Sequence, residues 1–550
     1  MIVGTGKSIL KGIAIGKLKI YKPRKTEISP ELITDVEAET ARYEAARNKA
    51  IDRQFVLYEK TLAAAGEEIA EIFRAHAVML KDVDLNDKVI QIIRRQKHTA
   101  EYAVKKAFDT QAKVFADMED PYFKARSADV LDIEKNVLNL LMGIDPGSMQ
   151  GSELAILAAE DLAPSELVRL DRSLLLGLIT REGGQNSHTA ILARSMDIPT
   201  LLQCKEIDES WDGKTGIIDG YEDCVYVDPT DELIASLTAR KKQDDENIRL
   251  LQALKGLDNT TIDGKTIQVY ANIGDLSDLS AVQQNDAGGV GLFRSEFIYL
   301  NSRYAPSEEE QFKIYKLAVQ ALAPKPVIIR TCDIGADKKA DYMKLDPEGN
   351  PALGFRAVRI SLTRKDFFKT QLRALLRASA YGNLGIMFPM IISLWEVKEC
   401  KKILEECRRE LEAAEIPTGH VEIGIMIETP AAVLCADTLA VEVDFFSIGT
   451  NDLTQFICAI DRQNAKLEPF SDTHHPAVLK AIRMAADAGH RHNIRVGICG
   501  ELGADLSLTE TFLRMDVDEL SVDPKSILPL RRQIRSIDLT KDPLEGTIVY

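Results

Sequence analysis

The chain has 550 residues, and its 69 Lys+Arg against 85 Asp+Glu give a formal net charge of −16 at pH 7. This length predicts several domains with large cores. The negative charge argues against a surface for nucleic acid or an anionic membrane, and it suits a basic protein partner. Eight cysteines without C-x-x-C pairing indicate reduced thiols. Because no apolar run has the length of a membrane span and no signal peptide is present, we expect a cytoplasmic protein without membrane insertion.

The first 230 residues combine short strand patterns with one long helical block. A strand pattern over residues 12–21 precedes a glycine-poor stretch rich in Ala, Glu, Lys and Leu, with apolar residues three to four apart. Short apolar runs return at 154–158, 176–180, 216–219 and 225–227. These patterns predict an α/β domain of residues 1–29 and 144–230, with a helical subdomain of residues 30–143 inserted after its first strand.

Two charged segments of this region have open interpretations. Glu67, Glu68 and Glu71 form an acidic patch in the helical block, which is either a solvated helix face or a docking surface for a basic partner. The charged stretch 231–255 has helical character but no core pattern of its own. We therefore predict that it is a linker helix.

The rest of the chain, residues 256–550, alternates regularly between strand and helix patterns. The predicted strands are 267–273, 289–293, 326–331, 385–389, 422–427, 444–448, 495–498 and 519–522. Eight strands that alternate with amphipathic helices predict a (β/α)8 barrel, and an α/β fold class for the whole chain. In this fold the functional residues lie at the C-terminal ends of the strands.

Chemically useful side chains follow several of these strands directly. Arg294, Arg330, Glu428, Asn451, Asp452 and Cys499 stand at strand ends, and Arg356 and Arg462 lie in loops that can reach the same barrel mouth. Arginine side chains suit carboxylate and phosphate groups. Glu428 and Asp452 offer hard oxygen ligands for Mg²⁺. The set predicts a small multi-anionic substrate bound together with a divalent cation.

The segment Gly183-Gly184-Gln185-Asn186-Ser187-His188 lies between a buried-strand pattern and a helical pattern. This order places His188 at a helix N-terminus, where free N–H groups and the helix dipole favour an anion and disfavour an imidazolium. A histidine that accepts a phosphoryl group needs a neutral, nucleophilic ring. The alternative is a histidine in a capping loop that only bonds to the backbone.

Motifs along nearly the whole chain resemble those of one known family. Residues 183–189, GGQNSHT, resemble the phosphohistidine signature of phosphoenolpyruvate-utilising enzymes, with Asn186 where threonine is commoner. The segments GGVGLFRSEF, PVIIRTCDIGADK, NPALGFRAVRI, IMFPMI, EIGIMIETPAA, VDFFSIGTNDLTQ and GICGELGAD are similar to the enzyme I family of the phosphoenolpyruvate:sugar phosphotransferase system. The order of parts is also similar: a swivelling histidine domain with an inserted carrier-binding subdomain, a linker and a barrel.

The resemblance implies a function and a role for each site residue. It implies that phosphoenolpyruvate is bound by Arg294, Arg330, Arg356, Asn451, Asp452 and Arg462. It implies that Glu428 and Asp452 bind Mg²⁺, that His188 accepts the phosphoryl group, and that Cys499 protonates the enolate to give pyruvate. The acceptor in this family is the carrier protein HPr, in the first step of sugar uptake, and the barrels dimerise.

Other interpretations and departures from the family pattern are also relevant. Pyruvate phosphate dikinase and phosphoenolpyruvate synthase resemble the same regions, but the chain has no room for their nucleotide-grasp domain. With no extra N-terminal sensory domain, we expect the sugar branch rather than the nitrogen branch. A non-catalytic regulatory paralogue that binds a phosphocarrier remains the alternative, although no predicted mouth residue is missing. The departures that leave these residues intact are Asn186, Gln203, Asp516 and Asp523.

Overall fold

The computed structural model describes residues 2–21, 28–65, 67–117, 121–144, 153–184, 187–300, 302, 304–338 and 340–543. Within these ranges, the side chains of residues 63–65, 67–69, 121–125, 188, 195, 465 and 468 are outside the description. The chain divides into two compact units, Met1–Asn247 and Ile248–Tyr550. Each unit has its own hydrophobic core.

The N-terminal unit contains an eight-stranded mixed sheet in the order β1-β8-β7-β3-β4-β5-β6-β2. The strands are β1 (Ile2–Thr5), β2 (Lys7–Ser8), β3 (Ile13–Tyr21), β4 (Ala155–Ala159), β5 (Leu175–Thr180), β6 (Thr200–Leu202), β7 (Thr215–Asp219) and β8 (Cys224–Val227). The neighbours β3, β4, β5 and β6 are parallel, and antiparallel pairs flank them on both sides. The predicted strand segments of this region are therefore confirmed.

Helices cover the sheet and form a separate bundle. The helices of this unit are α1 (Val36–Ala65), α2 (Glu67–Leu80), α3 (Val83–Gln96), α4 (Ala100–Ala116), α5 (Pro121–Leu141), α6 (Pro164–Leu167), α7 (His188–Ser195) and α8 (Asp231–Gln252). The first five lie between β3 and β4 and share a core that includes Tyr43, Val104 and Phe108. The expected helical insertion into an α/β fold is thus present. In the acidic patch, Glu71 pairs with Arg74 at 3.0 Å on an exposed helix face, and the side chains of Glu67 and Glu68 lie outside the described residues.

Helix α8 differs from the predicted linker without a core face. Its residue Leu237 is buried in a small cluster with Ile13 of β3 and Ile217 of β7. Arg240 stacks over the Tyr221 ring at 4.0 Å. The first part of this helix therefore packs on the N-terminal unit, because a few apolar residues in a charged sequence suffice for one contact stripe. The boundary between the two units falls within the same helix, after residue 247.

The C-terminal unit contains a closed barrel of eight parallel strands in the order β10-β11-β12-β13-β14-β15-β16-β9. These strands are β9 (Gln268–Ile273), β10 (Val290–Arg294), β11 (Val327–Arg330), β12 (Leu384–Phe388), β13 (Val421–Ile427), β14 (Phe445–Ile448), β15 (Arg495–Ile498) and β16 (Glu519–Val522). Each predicted strand is found within one or two residues of its expected bounds. The predicted barrel is confirmed.

Helices surround the barrel and bury its outer face in one large core. They are α9 (Asp278–Gln284), α10 (Glu296–Leu300), α11 (Glu308–Leu322), α12 (Val358–Thr363), α13 (Lys365–Ala378), α14 (Leu394–Ala413), α15 (Pro430–Leu434), α16 (Ala436–Ala440), α17 (Thr450–Cys458), α18 (Pro476–Arg491), α19 (Thr509–Arg514) and α20 (Ile527–Ser536). Within the described residues, no helix is long and apolar enough to span a bilayer. All eight cysteines are free thiols.

Two departures from the family pattern have local explanations in the barrel. Asp516 has φ +61°, a conformation that glycine adopts without strain, and its carboxylate pairs with Lys265 at 2.6 Å. Asp523 caps the 3-10 helix Pro524–Ser526 by accepting a hydrogen bond from the Lys525 N–H. Both substitutions are accommodated without breaking the barrel.

Candidate active site

A cavity of about 350 Å³ opens at the C-terminal ends of the barrel strands. It is lined by all of the site residues predicted in this unit, which are Arg294, Arg330, Arg356, Glu428, Asn451, Asp452, Arg462 and Cys499. They come together because the carboxyl ends of parallel strands meet at one rim of the barrel. The strands themselves are buried and closely packed, so the side chains at their ends are held on a rigid support.

Three of the four arginines have neighbouring carboxylates. Arg330 Nη2 lies 2.9 Å from Glu296 Oε1, and Arg330 Nη1 lies 3.4 Å from Asp333 Oδ2. Arg356 donates to both oxygens of Asp333, at 2.8 and 2.9 Å from Nη2. The guanidinium of Arg462 is half exposed and approaches Asp452 only to 3.8 Å.

Arg294 differs from the other arginines of the cavity. Within the described part of the chain, the structure records no hydrogen bond or ion pair for its side chain. A guanidinium at the rim of a cavity without a protein partner is available to an incoming anion. Arg294 is therefore the side chain most ready to bind an anionic group.

The two carboxylates predicted as metal ligands each have an oxygen without a hydrogen bond. Glu428 is fully buried; its Oε1 accepts the Met390 N–H at 2.6 Å, and its Oε2 has no partner. Asp452 Oδ1 is buried and lacks a hydrogen bond as well, with Arg356 Nη1 3.6 Å away. Burial raises the pKa of Glu428 to about 8, and the nearby Asp452 adds to the rise. Leaving such acceptors unsatisfied is costly, so these carboxylate oxygens fit as ligands of a cation.

The number of protein ligands limits which cation fits. Among the described residues, no group of three or more His, Cys, Asp or Glu side chains is arranged to hold a metal ion. Zinc sites need three or four such ligands, whereas Mg²⁺ binds through one or two carboxylates together with water and substrate oxygens. The cavity therefore fits a hard divalent cation that takes its other ligands from water and from substrate oxygens.

A close contact joins the segments that follow β14 and β15 at the mouth of the barrel. A Cβ at Gly500 would lie 1.9 Å from Thr450 Oγ1, so only glycine permits the end of β15 to approach the start of α17. Across this contact, Asn451 Nδ2 donates to Glu501 Oε1 at 3.0 Å, and Glu501 N donates to Asn451 Oδ1 at 2.9 Å. The side chain of Asn451 is thereby fixed at the rim.

Cys499 follows β15 and is buried inside the cavity wall. Its thiol lies 3.7 Å from the Ile448 carbonyl oxygen. Burial raises the pKa of the Cys499 thiol to about 11, and the Ser447 hydroxyl partly offsets this rise. The group is therefore protonated at neutral pH, as a proton donor must be. By contrast, Cys435 is exposed and Cys458 is partly exposed.

His188 lies in the other unit, at the first residue of α7. Ser187 caps the helix by accepting a hydrogen bond from the Ala190 N–H at 3.2 Å, and Thr189 Oγ1 donates to the Leu162 carbonyl at 2.7 Å. The predicted position at a helix N-terminus is confirmed. Gln203, in a left-handed conformation at φ +62°, donates to the Gly183 carbonyl and so supports the glycine turn. The side chain of His188 and all of Asn186 lie outside the described residues.

Four charged residues that were given no role from the sequence also line the cavity: Glu296, Asp333, Lys338 and Glu501. Glu296 stands two residues after Arg294 in the motif GGVGLFRSEF, where only the arginine was predicted as a site residue. With these residues, the lining contains five basic and five acidic side chains. With all ten groups ionised the wall is close to neutral, and a substrate with two or three negative charges then calls for an additional cation.

Family models match nearly the whole chain. A model described as the PEP-binding domain of PEP-utilising enzymes matches residues 249–539. Models for the N-terminal and mobile domains of PEP-utilising enzymes match residues 5–126 and 151–223. The first of these covers the barrel with its cavity, and the third covers the segment that contains His188.

Curated relatives match at nearly full length. The chain is 39% identical to the phosphoenolpyruvate-protein phosphotransferase of Haemophilus influenzae, over 96% of this chain and 92% of that one. It is 38% identical to the proteins of the same name from Mycoplasma capricolum, over 98% and 94%, and from Bacillus subtilis, over 96% and 93%. Among solved structures, it is similar to an NMR structure of an Enzyme I protein, with 31% identity, 44% of this chain, 99% of that chain and a TM-score of 0.39.

Proposed function

The chain belongs to the phosphoenolpyruvate-protein phosphotransferase family of PEP-utilising enzymes, and we propose that its phosphoryl acceptor is His188 and its protein substrate the carrier HPr. The substrate phosphoenolpyruvate carries one carboxylate and one phosphate. The observation that carries the proposal is one cavity in which four arginines stand beside Glu428 and Asp452, each of which has a buried oxygen without a hydrogen bond.

We assign the binding of phosphoenolpyruvate to Arg294, Arg330, Arg356, Asn451, Asp452 and Arg462. Arg294 supports this assignment because the described residues offer its guanidinium no protein partner. Arg330 and Arg356 are held by carboxylates, and both side chains line the cavity. Guanidinium forks match the planar carboxylate and the phosphate oxygens of this substrate.

Enzymes of the family use a divalent metal ion, and we propose Mg²⁺, held by Glu428 and Asp452. Support comes from their buried oxygens without hydrogen bonds, which are hard ligands of the kind that Mg²⁺ prefers. When bound, the cation supplies positive charge that neutralises phosphate oxygens. Glu428 and Asp452 then contribute by placing that charge beside the arginines.

In the proposed reaction, a ring nitrogen of His188 attacks the phosphorus atom. A P–N bond forms as the bond between phosphorus and the enol oxygen breaks, and the electron pair of that bond stays on the oxygen of pyruvate enolate. Cys499 then gives its thiol proton to the enolate methylene carbon, so that a C–H bond forms and the enolate becomes pyruvate. The thiolate regains a proton from water.

The helix start at His188 supports its role as a carrier of the phosphoryl group. Backbone N–H groups of the first turn of α7 and the positive end of the helix dipole stabilise negative charge at this position. The same field disfavours a protonated ring and so keeps the imidazole nucleophilic. The phosphoryl group then passes from His188 to the carrier.

The organisation of the chain suits these steps. We assign residues 1–29 and 144–230 to a swivelling phosphohistidine domain, 30–143 to an HPr-binding subdomain, 231–255 to a linker, and 256–550 to a substrate-binding and dimerisation domain.

The net charge of −16 favours a basic carrier. Exposed apolar side chains on the barrel unit, such as Leu353 and Phe470, favour a homodimer. Eight free thiols favour the cytoplasm.

A labelling experiment tests the proposal. Incubation with phosphoenolpyruvate labelled at phosphorus, together with Mg²⁺, should give one labelled residue, His188, with an acid-labile and base-stable bond. Subsequent addition of HPr should move the label to HPr. A chain that binds phosphoenolpyruvate but takes up no label would instead be the regulatory paralogue, which no residue of the cavity favours at present.

A further inference from the structure

Glu296 occupies a position in the cavity wall that the proposed reaction does not yet explain. It is the first residue of α10, it is 4% exposed, and it lines the cavity beside Arg294 and Arg330. Buried glutamates are rare unless they are paired or functional. The inference below rests on the proposed binding of phosphoenolpyruvate in this cavity.

One oxygen of Glu296 organises two arginines. Its Oε1 lies 2.9 Å from Arg330 Nη2, and it also accepts the Asp333 backbone N–H at 2.8 Å. Asp333 in turn binds Arg356 through both carboxylate oxygens. Asp333 stands in the loop after β11, and the bond to its N–H helps to hold that loop together with the bond from the Cys332 N–H to Gln371. Glu296 therefore contacts Arg330 directly and supports Arg356 through Asp333.

The other oxygen of Glu296 is unused. Glu296 Oε2 is buried without a hydrogen-bond partner, and Arg330 Nε is likewise without one. An ionised oxygen in this state is costly, and a proton on it removes much of that cost. Burial raises the pKa of Glu296, and Arg330 offsets the rise only in part. By contrast, Arg330 and Arg356 outweigh the effect of burial at Asp333 and lower its pKa.

Among the described residues, Arg330 is the one cation for which the structure records an ion pair with Glu296. The charged and titratable groups that face it are Arg330, Cys332 and Asp333 of the β11 end, Tyr299 of its own helix and Tyr315 of α11. Arg330 is also the group that a substrate phosphate or carboxylate would engage. New negative charge at Arg330 weakens its stabilisation of ionised Glu296.

We propose that Glu296 is a positioning residue of the phosphoenolpyruvate site, which fixes Arg330 and the β11 loop through Oε1 and takes up a proton on Oε2 when the anionic substrate binds. The proton comes from solvent, and an O–H bond forms without any change in the substrate. Binding of phosphoenolpyruvate is then coupled to the uptake of a proton by the protein.

Two variants separate the two parts of this role. Glu296→Gln keeps an acceptor oxygen for Arg330 and the Asp333 N–H, but it cannot take up a proton. Glu296→Ala loses the acceptor oxygen as well as the titratable group. We expect Glu296→Ala to raise KM for phosphoenolpyruvate at least about tenfold with a smaller change in kcat, and Glu296→Gln to restore most of the loss. Isothermal titration with phosphoenolpyruvate in buffers of different ionisation enthalpy gives the number of protons that the protein takes up on binding. Glu296→Gln should take up fewer protons than the parent, by up to about one per site.

Glu519→Gln is the matched control, because Glu519 is an equally buried barrel carboxylate that does not line this cavity. It should leave both KM and the proton count unchanged. A parental KM in Glu296→Ala, or equal proton uptake by Glu296→Gln and the parent, would overturn the inference while the parent still binds substrate. A parent that binds no phosphoenolpyruvate would overturn the proposed function and this inference with it.

Discussion

The barrel unit and the N-terminal unit support their chemical groups in different ways. In the barrel, side chains from many strand ends line one cavity, and one large core packs the strands against the surrounding helices, with two smaller clusters beside it. In the N-terminal unit, one histidine stands at the start of an eight-residue helix, and the core is divided between the helical bundle and the two faces of the sheet.

This difference matches two chemical tasks. Recognition of a small anion with several charged groups needs many side chains held in fixed relation, which a barrel rim provides. A carrier of a phosphoryl group needs one nucleophile that can meet two reaction partners in turn, and a short helix on a smaller support suffices. We therefore expect that separate mutations can remove substrate binding in the barrel and phosphoryl acceptance at His188.

The largest effect on activity is expected from a substitution of His188. His188→Ala should abolish the uptake of label from phosphoenolpyruvate, because no other described residue combines a nucleophilic side chain with this helix start. Titration calorimetry should show unchanged binding of phosphoenolpyruvate, since the cavity belongs to the other unit. Undiminished labelling would show that the acceptor lies elsewhere and would break the division of tasks.

A nearly equal effect is expected from the carboxylates of the cavity. Glu428→Ala or Asp452→Ala should lower kcat for pyruvate formation by roughly 10³-fold or more, because the cation that we propose for this site would neutralise charge on the transferring group. Glu422→Gln is a suitable control, because this carboxylate pairs with Arg495 at 3.0 Å, away from the cavity. Parental activity that persists after complete removal of divalent metal would contradict the assignment.

A third variant separates the protonation of the enolate in the barrel from the transfer of the phosphoryl group to His188. Cys499→Ala should slow pyruvate formation by about 10²- to 10⁴-fold, because the enolate loses its proton donor. It should still accept a phosphoryl group on His188 from phosphorylated HPr, a step without an enolate. Cys400→Ala, which changes a buried thiol of α14, is the control. Pyruvate formation at the parental rate would remove Cys499 from the reaction.

The smallest effect concerns stability of the barrel unit alone. Burial raises the pKa of Glu519 to about 7, with Arg495 offsetting part of the rise. A carboxyl group with a raised pKa in the folded state stabilises the fold most below its unfolded pKa, and that contribution is lost as the pH rises through about 7. Glu519→Gln should therefore gain roughly 1–3 kcal/mol relative to the parent between pH 5 and pH 8.

Urea unfolding followed by hydrogen exchange measures this gain separately in peptides from each unit. Barrel peptides should show it, and peptides of the N-terminal unit should not. Equal protection of barrel amides from hydrogen exchange in parent and variant, at both pH 5 and pH 8, would mean that Glu519 keeps an ordinary pKa.

The same contrast explains what could be predicted from the sequence. The eight barrel strands were predictable because each is a short, fully buried apolar run between amphipathic helices, and the residue after each strand then had to lie at the rim. Arg294, Glu428 and Cys499 follow directly from this rule. The packed face of α8 was missed because Leu237 is a single buried residue in a charged sequence.

Ion-pair partners could not be predicted in the same way. Glu296 and Asp333 look like ordinary surface charges in the sequence, since their contacts with Arg330 and Arg356 depend on how a loop returns to the cavity. Strand periodicity gives the position of a Cα atom along a strand, but it does not give the rotamer or the neighbour across a loop. The position of the His188 backbone was predictable from capping residues.

The unsatisfied oxygens of Glu428 and Asp452 have a consequence for the evolution of such chains. Each buried acceptor without a hydrogen bond costs about 1–3 kcal/mol, against a total stability of about 5–15 kcal/mol for a typical domain. Selection for folding alone would thus replace these two residues early, and the replacement would raise the melting temperature of the ligand-free protein. We therefore expect that these two residues serve what the cavity binds and not the stability of the fold.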